Sequence, residues 1–274
     1  MTGLFSKILS FLVSITLAFS TASINHNGKN EDKNKDLNQQ SNIVTEIIED
    51  IPKPQYVAKS NKTNSPISTS GWWTYPNVIK LTSRNGNDLL VLVNKEFRLS
   101  ENYTPNDLIS AANSGIRRGS GHLIRNIIVN DLRELVNAAK NDGIDLSIRS
   151  GYRSYPQQAT TYNYWLKVNG NNPDEADKVS ARAGHSQHQL GTVVDFSSAE
   201  IQDGIGGQFA NTKAARWLAE NAWKYGFVIS FPKGYESTTG YIYESWHYRY
   251  IGKSNAQEMI NRGEVLEIYL RSKN

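Results

Sequence analysis

The sequence predicts an α+β domain in which helices flank a small, mainly antiparallel sheet. Three observations favour this class: helical patterns precede most strand-like runs, those runs are short, and most connections are too brief for repeated parallel crossovers. The chain has 274 residues, and its segments argue for one folded domain behind a dispensable leading stretch.

Helical signals occur at four places. Residues 130–142 repeat apolar side chains at helical spacing between a polar N-cap candidate and a glycine. Residues 154–157, Ser-Tyr-Pro-Gln, fit a capping box that starts the next helix. Residues 212–225 form the most regular pattern, and Thr104 followed by Pro105 predicts the start of a short helix.

Strand signals lie before, between and after these helices. Residues 89–93 are a continuous apolar run, which predicts a buried strand. Residues 144–149 alternate apolar with polar side chains, the period of a half-buried strand. Short apolar runs at residues 192–196, 227–230 and 241–243 predict three more strands.

The amino terminus has the pattern of a targeting segment. Lys7 precedes an apolar core of twelve residues, 8–19, which is followed by small residues up to Ser23. A bilayer-spanning helix needs about 20 residues, so residues 1–23 predict a secretory signal peptide, with an uncleaved anchor as the alternative. Either assignment predicts an extracytoplasmic protein that meets the membrane only through this segment.

Composition changes twice after the leader. Residues 24–70 are rich in Asn, Lys, Asp and Glu and poor in aromatic side chains, which predicts a flexible polar linker. Residues 71–274 have the apolar patterning of a folded domain, which we expect to be catalytic and monomeric.

The composition also excludes several functions. The net charge of +4 is spread along the chain without a long basic run, so nucleic-acid binding is not predicted. Cysteine is absent, which rules out cysteine-ligated zinc, iron–sulfur clusters and a cysteine nucleophile. Any metal site must therefore use histidine and carboxylate ligands.

Two short segments carry the residues for such a site. His188 and Asp195 lie in the first, and Glu244 and His247 in the second. His188, Asp195 and His247 could fill three corners of a zinc tetrahedron, leaving the fourth for water and Glu244 to deprotonate it. Alone, each residue is more simply a satisfied surface or core residue; together they favour a metal, with ions other than zinc left open.

Strand periodicity sets conditions on this site. In the 192–196 strand, Val194 and Phe196 share one face, and Asp195 lies on the other. Glu244 and His247 are three residues apart, so a regular strand would point them to opposite faces. A bend or bulge between them is therefore required if both belong to one site.

The same residues carry a family resemblance. The motifs are Ser-x-His-x-x-Gly-x-Val-x-Asp over residues 186–195 and Glu-x-Trp-His over residues 244–247. They resemble those of VanY-type D-alanyl-D-alanine carboxypeptidases, which share their fold with D-Ala-D-Ala dipeptidases, bacterial L,D-carboxypeptidases and hedgehog signalling domains. Ser-Gly-Tyr-Arg-Ser at residues 150–154 is also similar, and the resemblance spans roughly residues 89–252.

Three positions depart from the family motifs. Val193 stands where alanine is usual, Gln187 where glutamate is frequent, and Ser245 where proline is common. None of these changes removes a ligand or the base. They bear on substrate detail and leave the chemistry unchanged.

The resemblance implies a role for each motif residue. His188, Asp195 and His247 become the zinc ligands, and Glu244 becomes the general base. Because a base beside the metal serves hydrolysis, the presence of Glu244 argues against a non-catalytic zinc-bearing module that only binds the cell wall.

Other roles follow from the same resemblance. Arg153 is implied beside the scissile carbonyl, where its guanidinium can stabilise an oxyanion. Ser186 and Gln158 are implied as contacts to the terminal D-residue or its carboxylate, while His185 is not expected to be a ligand. The implied activity is release of the terminal D-Ala from peptidoglycan stem peptides, with L,D-carboxypeptidase or endopeptidase activity as alternatives.

Overall fold

The computed structural model describes residues 73–274. The predicted leader, 1–23, and linker, 24–70, lie outside the described residues, as do the first two residues of the predicted catalytic domain. Among residues 73–274, no helix is long and apolar enough to cross a bilayer.

The predicted α+β class is confirmed, with one antiparallel sheet at the centre and two small pairs beside it. The four-stranded sheet has the order β5-β6-β8-β7, β3 pairs antiparallel with β4, and β1 pairs parallel with β2. The strands are β1 Lys80–Leu81, β2 Phe97–Arg98, β3 Leu108–Ser110, β4 Leu123–Arg125, β5 Leu146–Ser150, β6 Val193–Ser198, β7 Phe227–Ile229 and β8 His247–Tyr250.

Seven α-helices accompany the sheet in the described range. They are α1 Val129–Asn141, α2 Tyr155–Val168, α3 Pro173–Val179, α4 Lys213–Asn221, α5 Glu236–Thr239, α6 Lys253–Asn261 and α7 Leu266–Arg271. The three longer predicted helices are confirmed as α1, α2 and α4, and α4 continues as a 3₁₀ turn, Ala222–Tyr225, up to Gly226. The capping box is present, with Ser154 Oγ accepting from the Gln157 backbone and the Gln157 side chain accepting from the Ser154 backbone.

The main core lies between one face of the sheet and helices α1 and α4. Val194 and Phe196 of β6 are fully buried there, as the strand periodicity predicted, together with Leu132 and Leu135 of α1 and Leu218 of α4. Because alternate residues point to opposite faces, this packing turns Asp195 of β6 away from the core. The core therefore fixes which face of β6 carries the functional carboxylate.

The predicted strand at residues 89–93 is wrong. Val91 is fully buried, but the segment has no strand partner. The buried guanidinium of Arg249 instead donates to the carbonyl oxygens of Leu89, at 3.0 Å, and Val91, at 2.6 Å. The Arg249 side chain thus takes the place of a neighbouring strand as the hydrogen-bond partner of these backbone carbonyl groups. Local periodicity does not reveal such a contact.

The predicted helix at Thr104 and Pro105 is also wrong. The chain turns after Pro105 and enters β3, which pairs with β4. The Asp107 carbonyl accepts from the Asn126 backbone, and the Asp107 carboxylate lies 2.8 Å from Arg125 Nε. Pairing with a distant segment outweighs the local helix-start signal.

The predicted strand at residues 241–243 is irregular chain. Its backbone groups bond to separate segments: Ile242 N donates to Lys178 O at 3.0 Å, and Glu244 N donates to Phe231 O at 3.0 Å. These contacts replace a strand ladder and hold the chain in the path that leads into Glu244.

Candidate active site

Two histidines and one aspartate converge on the face of the central sheet that is turned away from the main core. One donor atom from each of His188, Asp195 and His247 lies within 4.8 Å of the others, and all three residues are buried. His188 Nε2 is 3.3 Å from Asp195 Oδ2, and His247 Nδ1 is 3.1 Å from Asp195 Oδ1. The structure therefore brings together the three residues predicted as ligands.

Sheet register positions two of these side chains. Asp195 is the third residue of β6 and pairs directly with His247, the first residue of β8. Directly paired residues on antiparallel strands point to the same face. The strand predicted at residues 192–196 extends two residues further, to Ser198.

A turn brings Glu244 to the same place. The His247 backbone N–H donates to Glu244 O at 3.3 Å, which closes a four-residue turn that leads into β8. Glu244 Oε2 then lies 3.4 Å from His247 Nδ1. The bend required by strand periodicity is present.

His188 lies in a 3₁₀ turn, Gln187–Leu190, that precedes β6. Its Nδ1 is 2.7 Å from the Gly151 carbonyl oxygen, which can only accept, so Nδ1 carries the hydrogen and Nε2 faces Asp195. Gly151 is required at its position because a Cβ there would lie 2.4 Å from Leu123 O. Close backbone packing thus sets the orientation of this histidine.

The donor set fits a metal ion. Asp195 Oδ1 is buried without a hydrogen-bond partner, although His247 Nδ1 is only 3.1 Å away. Ligand atoms of a tetrahedral zinc site lie roughly 3.3 Å apart, given bonds of about 2.0–2.1 Å. The spacing of His188 Nε2 and His247 Nδ1 from the Asp195 carboxylate, 3.3 and 3.1 Å, is therefore that of ligand atoms around a cation.

The pKa values of the ionisable side chains at this site are strongly shifted. Burial opposes ionisation of Asp195, but the adjacent His188 and His247 outweigh it and hold the pKa of Asp195 well below its usual range. Burial lowers the pKa of His247 to about 4, despite the opposing effect of Asp195. Burial also raises the pKa of Glu244 well above its usual value, Asp195 adds to this, and Arg153 partly opposes it.

Arg153 lines a cleft of about 560 Å³ with Tyr152 and Gln157, and its positive charge acts on both Glu244 and His247. Two side chains fix its guanidinium: Nη1 donates to Gln158 Oε1 at 2.8 Å, and Nη2 donates to Ser150 Oγ at 3.0 Å. Gln158 also donates through Nε2 to Ala181 O at 2.6 Å, so both ends of its amide are engaged. The structure places Gln158 next to Arg153, and its role as a substrate contact stays a prediction.

The remaining predicted residues flank the cluster. Ser186 Oγ accepts from the His188 backbone N–H at 3.3 Å and caps the 3₁₀ turn, and its contact to substrate stays a prediction. His185 Nδ1 is 2.8 Å from Asn94 O and packs edge-on against Tyr75. His185 is not part of the three-residue cluster.

Sequence reasoning missed several residues around the site. Ser150 holds Arg153, the Gly151 carbonyl orients His188, and Gln187 Oε1 lies 3.3 Å from His247 Nε2. The Ser-Gly-Tyr-Arg-Ser motif could have indicated the first, but a backbone carbonyl has no signature in the sequence. His122 also lines the cleft with Arg153.

Comparison with known proteins agrees with this geometry. A family model described as VanY, D-alanyl-D-alanine carboxypeptidase, matches residues 121–253, which contain all seven predicted site residues. YodJ of Bacillus subtilis (strain 168), a carboxypeptidase by name, is 35% identical over 218 residues, covering 77% of this chain and 78% of YodJ. The chain belongs to the VanY family of D-alanyl-D-alanine carboxypeptidases. Membership makes it a metallopeptidase of the VanY type.

Two solved structures share the VanY-like fold. The LD-carboxypeptidase LdcB is 33% identical, with a TM-score of 0.63, and the match covers 70% of this chain and 90% of LdcB. A vancomycin-resistance D,D-pentapeptidase VanY variant, in complex with Zn(II), is 30% identical, with a TM-score of 0.55, covering 66% of this chain and 98% of that VanY. The two neighbours differ in the specificity that their names state.

Proposed function

We propose that this VanY-family protein is a zinc-dependent D,D-carboxypeptidase that removes the terminal D-Ala from peptidoglycan stem peptides. The observation that carries the proposal is the convergence of His188, Asp195 and His247 with Glu244 beside them. The family model and the zinc-bound D,D-pentapeptidase neighbour support the same chemistry.

Zinc is the metal that suits this donor set best. Two imidazole nitrogens and one carboxylate oxygen, with the fourth position open, are typical of catalytic zinc sites. Zinc bound there would act as a Lewis acid towards the peptide carbonyl and make a water molecule easier to deprotonate. His188 Nε2, Asp195 and His247 Nδ1 would hold it.

Glu244 is suited to proton transfer. Its carboxylate lies 3.4 Å from His247 Nδ1 and keeps 14% of its side-chain surface exposed, so it can reach a water molecule beside the ligands. We assign it acceptance of the proton from that water and delivery of the proton to the leaving amine.

Arg153 is suited to stabilising the oxyanion. Gln158 and Ser150 hold its guanidinium at the cleft, so the charge needs little reorganisation when the carbonyl oxygen becomes negative. Ser186 remains the proposed contact to the terminal D-residue. The Gln158 amide already bonds Arg153 and the Ala181 carbonyl, so it would contact the terminal D-residue only through its remaining hydrogen-bonding positions.

L,D-carboxypeptidase activity is the second candidate because LdcB is similar in fold and sequence. It would use the same residues on a tetrapeptide stem whose terminal D-Ala follows an L-centre. Endopeptidase activity and wall binding without turnover are further alternatives. The substrate and the expected location outside the cytoplasm, in contact with the cell wall, are part of this proposal.

An assay on defined stems tests the proposal. The zinc-loaded protein is incubated with pentapeptide, tetrapeptide and cross-linked stems, and the products are resolved by mass spectrometry. The proposal predicts D-Ala release with the larger kcat/KM on the pentapeptide. Preference for the tetrapeptide would establish the L,D alternative, cleavage of cross-links an endopeptidase, and binding without any product a wall-binding module.

A further inference from the structure

We infer that Gln187 is a positioning residue for the ligand His247: its amide oxygen holds the Nε2 hydrogen and thereby turns the Nδ1 lone pair towards the metal. The inference rests on the proposed metal site. It concerns a residue that the proposed mechanism does not otherwise use.

The side-chain oxygen of Gln187 makes two buried contacts. Its Oε1 lies 2.7 Å from Ser230 Oγ and 3.3 Å from His247 Nε2. Ser230 is 2% exposed, Gln187 7% and His247 4%, so solvent is largely excluded from these contacts. An amide oxygen has two lone pairs and can accept from both the hydroxyl and the imidazole.

The opposite face of His247 decides which nitrogen carries the hydrogen. Nδ1 lies 3.1 Å from Asp195 Oδ1 and 3.4 Å from Glu244 Oε2. A metal held between Asp195 and His247 would take the lone pair of Nδ1, and on the other side of the ring the Gln187 amide oxygen can only accept. The hydrogen therefore belongs on Nε2, where Gln187 accepts it.

The two ligand histidines are thus oriented by different groups. The backbone carbonyl of Gly151 fixes His188 so that Nε2 faces the site, and the side chain of Gln187 fixes His247 so that Nδ1 does. Gln187 and His188 lie in the same 3₁₀ turn. This turn supplies one ligand directly and orients the other across the site.

The neutral amide has a chemical consequence. Metal-ligating histidines commonly donate to a carboxylate, which raises the basicity of the ligating nitrogen. An amide orients the His247 ring but polarises it less than a carboxylate does. His247 should therefore bind zinc less strongly than it would if residue 187 were glutamate. Gln187→Glu keeps an acceptor in place and should preserve or increase zinc affinity.

Zinc affinity measured by chelator competition tests the inference. Gln187→Leu removes the acceptor and should weaken zinc binding by about 10–100-fold, the usual effect of losing such a partner. Gln187→Glu should bind zinc at least as tightly as the natural protein. Gln189→Leu is the matched control, because its amide is fully buried in the same turn but donates to Ser100 O and Tyr103 O.

A spectroscopic measurement makes the test independent of the variants' stability. Long-range ¹H–¹⁵N spectra of the zinc-loaded natural protein, labelled in histidine, should show the hydrogen on Nε2 of His247 and on Nδ1 of His188. A hydrogen on Nδ1 of His247 would overturn the inference. So would unchanged zinc affinity in Gln187→Leu, an equal loss in Gln189→Leu, or a Gln187→Glu variant as weak as Gln187→Leu. A natural protein that binds no zinc would instead refute the proposed function.

Discussion

The two sides of the active site are built by different means. The ligand region, which comprises His188, Asp195, Glu244 and His247, is fixed mainly by the backbone. Asp195 and His247 are paired across β6 and β8, and the 244–247 turn is closed by a backbone hydrogen bond. Its geometry follows from the register of the sheet, which is specified by the buried face of β6.

The arginine region, which comprises Ser150, Arg153 and Gln158, is fixed mainly by side chains. Arg153 follows β5 and precedes α2, and two side-chain hydrogen bonds hold its guanidinium. Single side-chain changes can therefore loosen this region while the sheet remains intact. Metal binding and oxyanion stabilisation should therefore be separable by mutation.

The largest effect is expected within the ligand region. Glu244→Gln removes proton transfer but no ligand, so hydrolysis should fall by about 10²–10⁴-fold or more, while zinc remains close to stoichiometric. Zinc content by elemental analysis and D-Ala release on the same preparation test this. Retained activity would remove Glu244 from the role of base.

The next largest effect should come from the arginine region. Arg153→Ala should lower kcat by about 10²–10³-fold, the typical effect of losing an oxyanion-stabilising donor. Zinc affinity should stay unchanged, because the Arg153 side chain donates its hydrogen bonds to Gln158 and Ser150 and to none of the three ligands. A large loss of zinc would show that the two regions are not separable.

Gln158→Leu sharpens the same distinction. It removes one of the two partners of the Arg153 guanidinium, which should cost about tenfold to a hundredfold in kcat through misplacement of the charge. The effect should be smaller than that of Arg153→Ala and largely absent in the Arg153→Ala background. Additive losses in the double variant would mean that Gln158 acts independently, as a substrate contact.

The smallest effect concerns stability without metal. Because burial raises the pKa of Glu244 in the fold, the folded protein binds this proton more tightly than the unfolded chain does. The free energy of unfolding should therefore fall as pH rises from the ordinary glutamate range towards the raised pKa. Glu244→Gln should raise the melting temperature of the metal-free protein at neutral pH, by about 2–4 °C per kcal/mol, with the difference shrinking near pH 4. No pH-dependent difference would contradict the burial of an ionisable Glu244.

Much of this site could be predicted from the sequence. The pattern of β6 required Asp195 to face away from Val194 and Phe196, and the spacing of Glu244 and His247 required a bend; both features are present. These inferences succeed because local periodicity determines side-chain direction.

The remaining features depend on contacts between distant segments. The 89–93 run is apolar enough for a strand, but Arg249 binds its carbonyl groups from another part of the chain. Gln187 meets His247 across the site, and the Gly151 carbonyl orients His188 without any residue type that would indicate it. Such contacts are specified by the tertiary fold and have no local pattern.

The metal dependence of hydrolysis is tested by measuring D-Ala release from a defined pentapeptide before chelation, after chelation and after zinc is restored. A zinc site formed by His188, Asp195 and His247 predicts activity that is lost with the metal and recovered with zinc, in proportion to one zinc ion per chain. Full activity in the chelated protein would contradict zinc-dependent hydrolysis at this site.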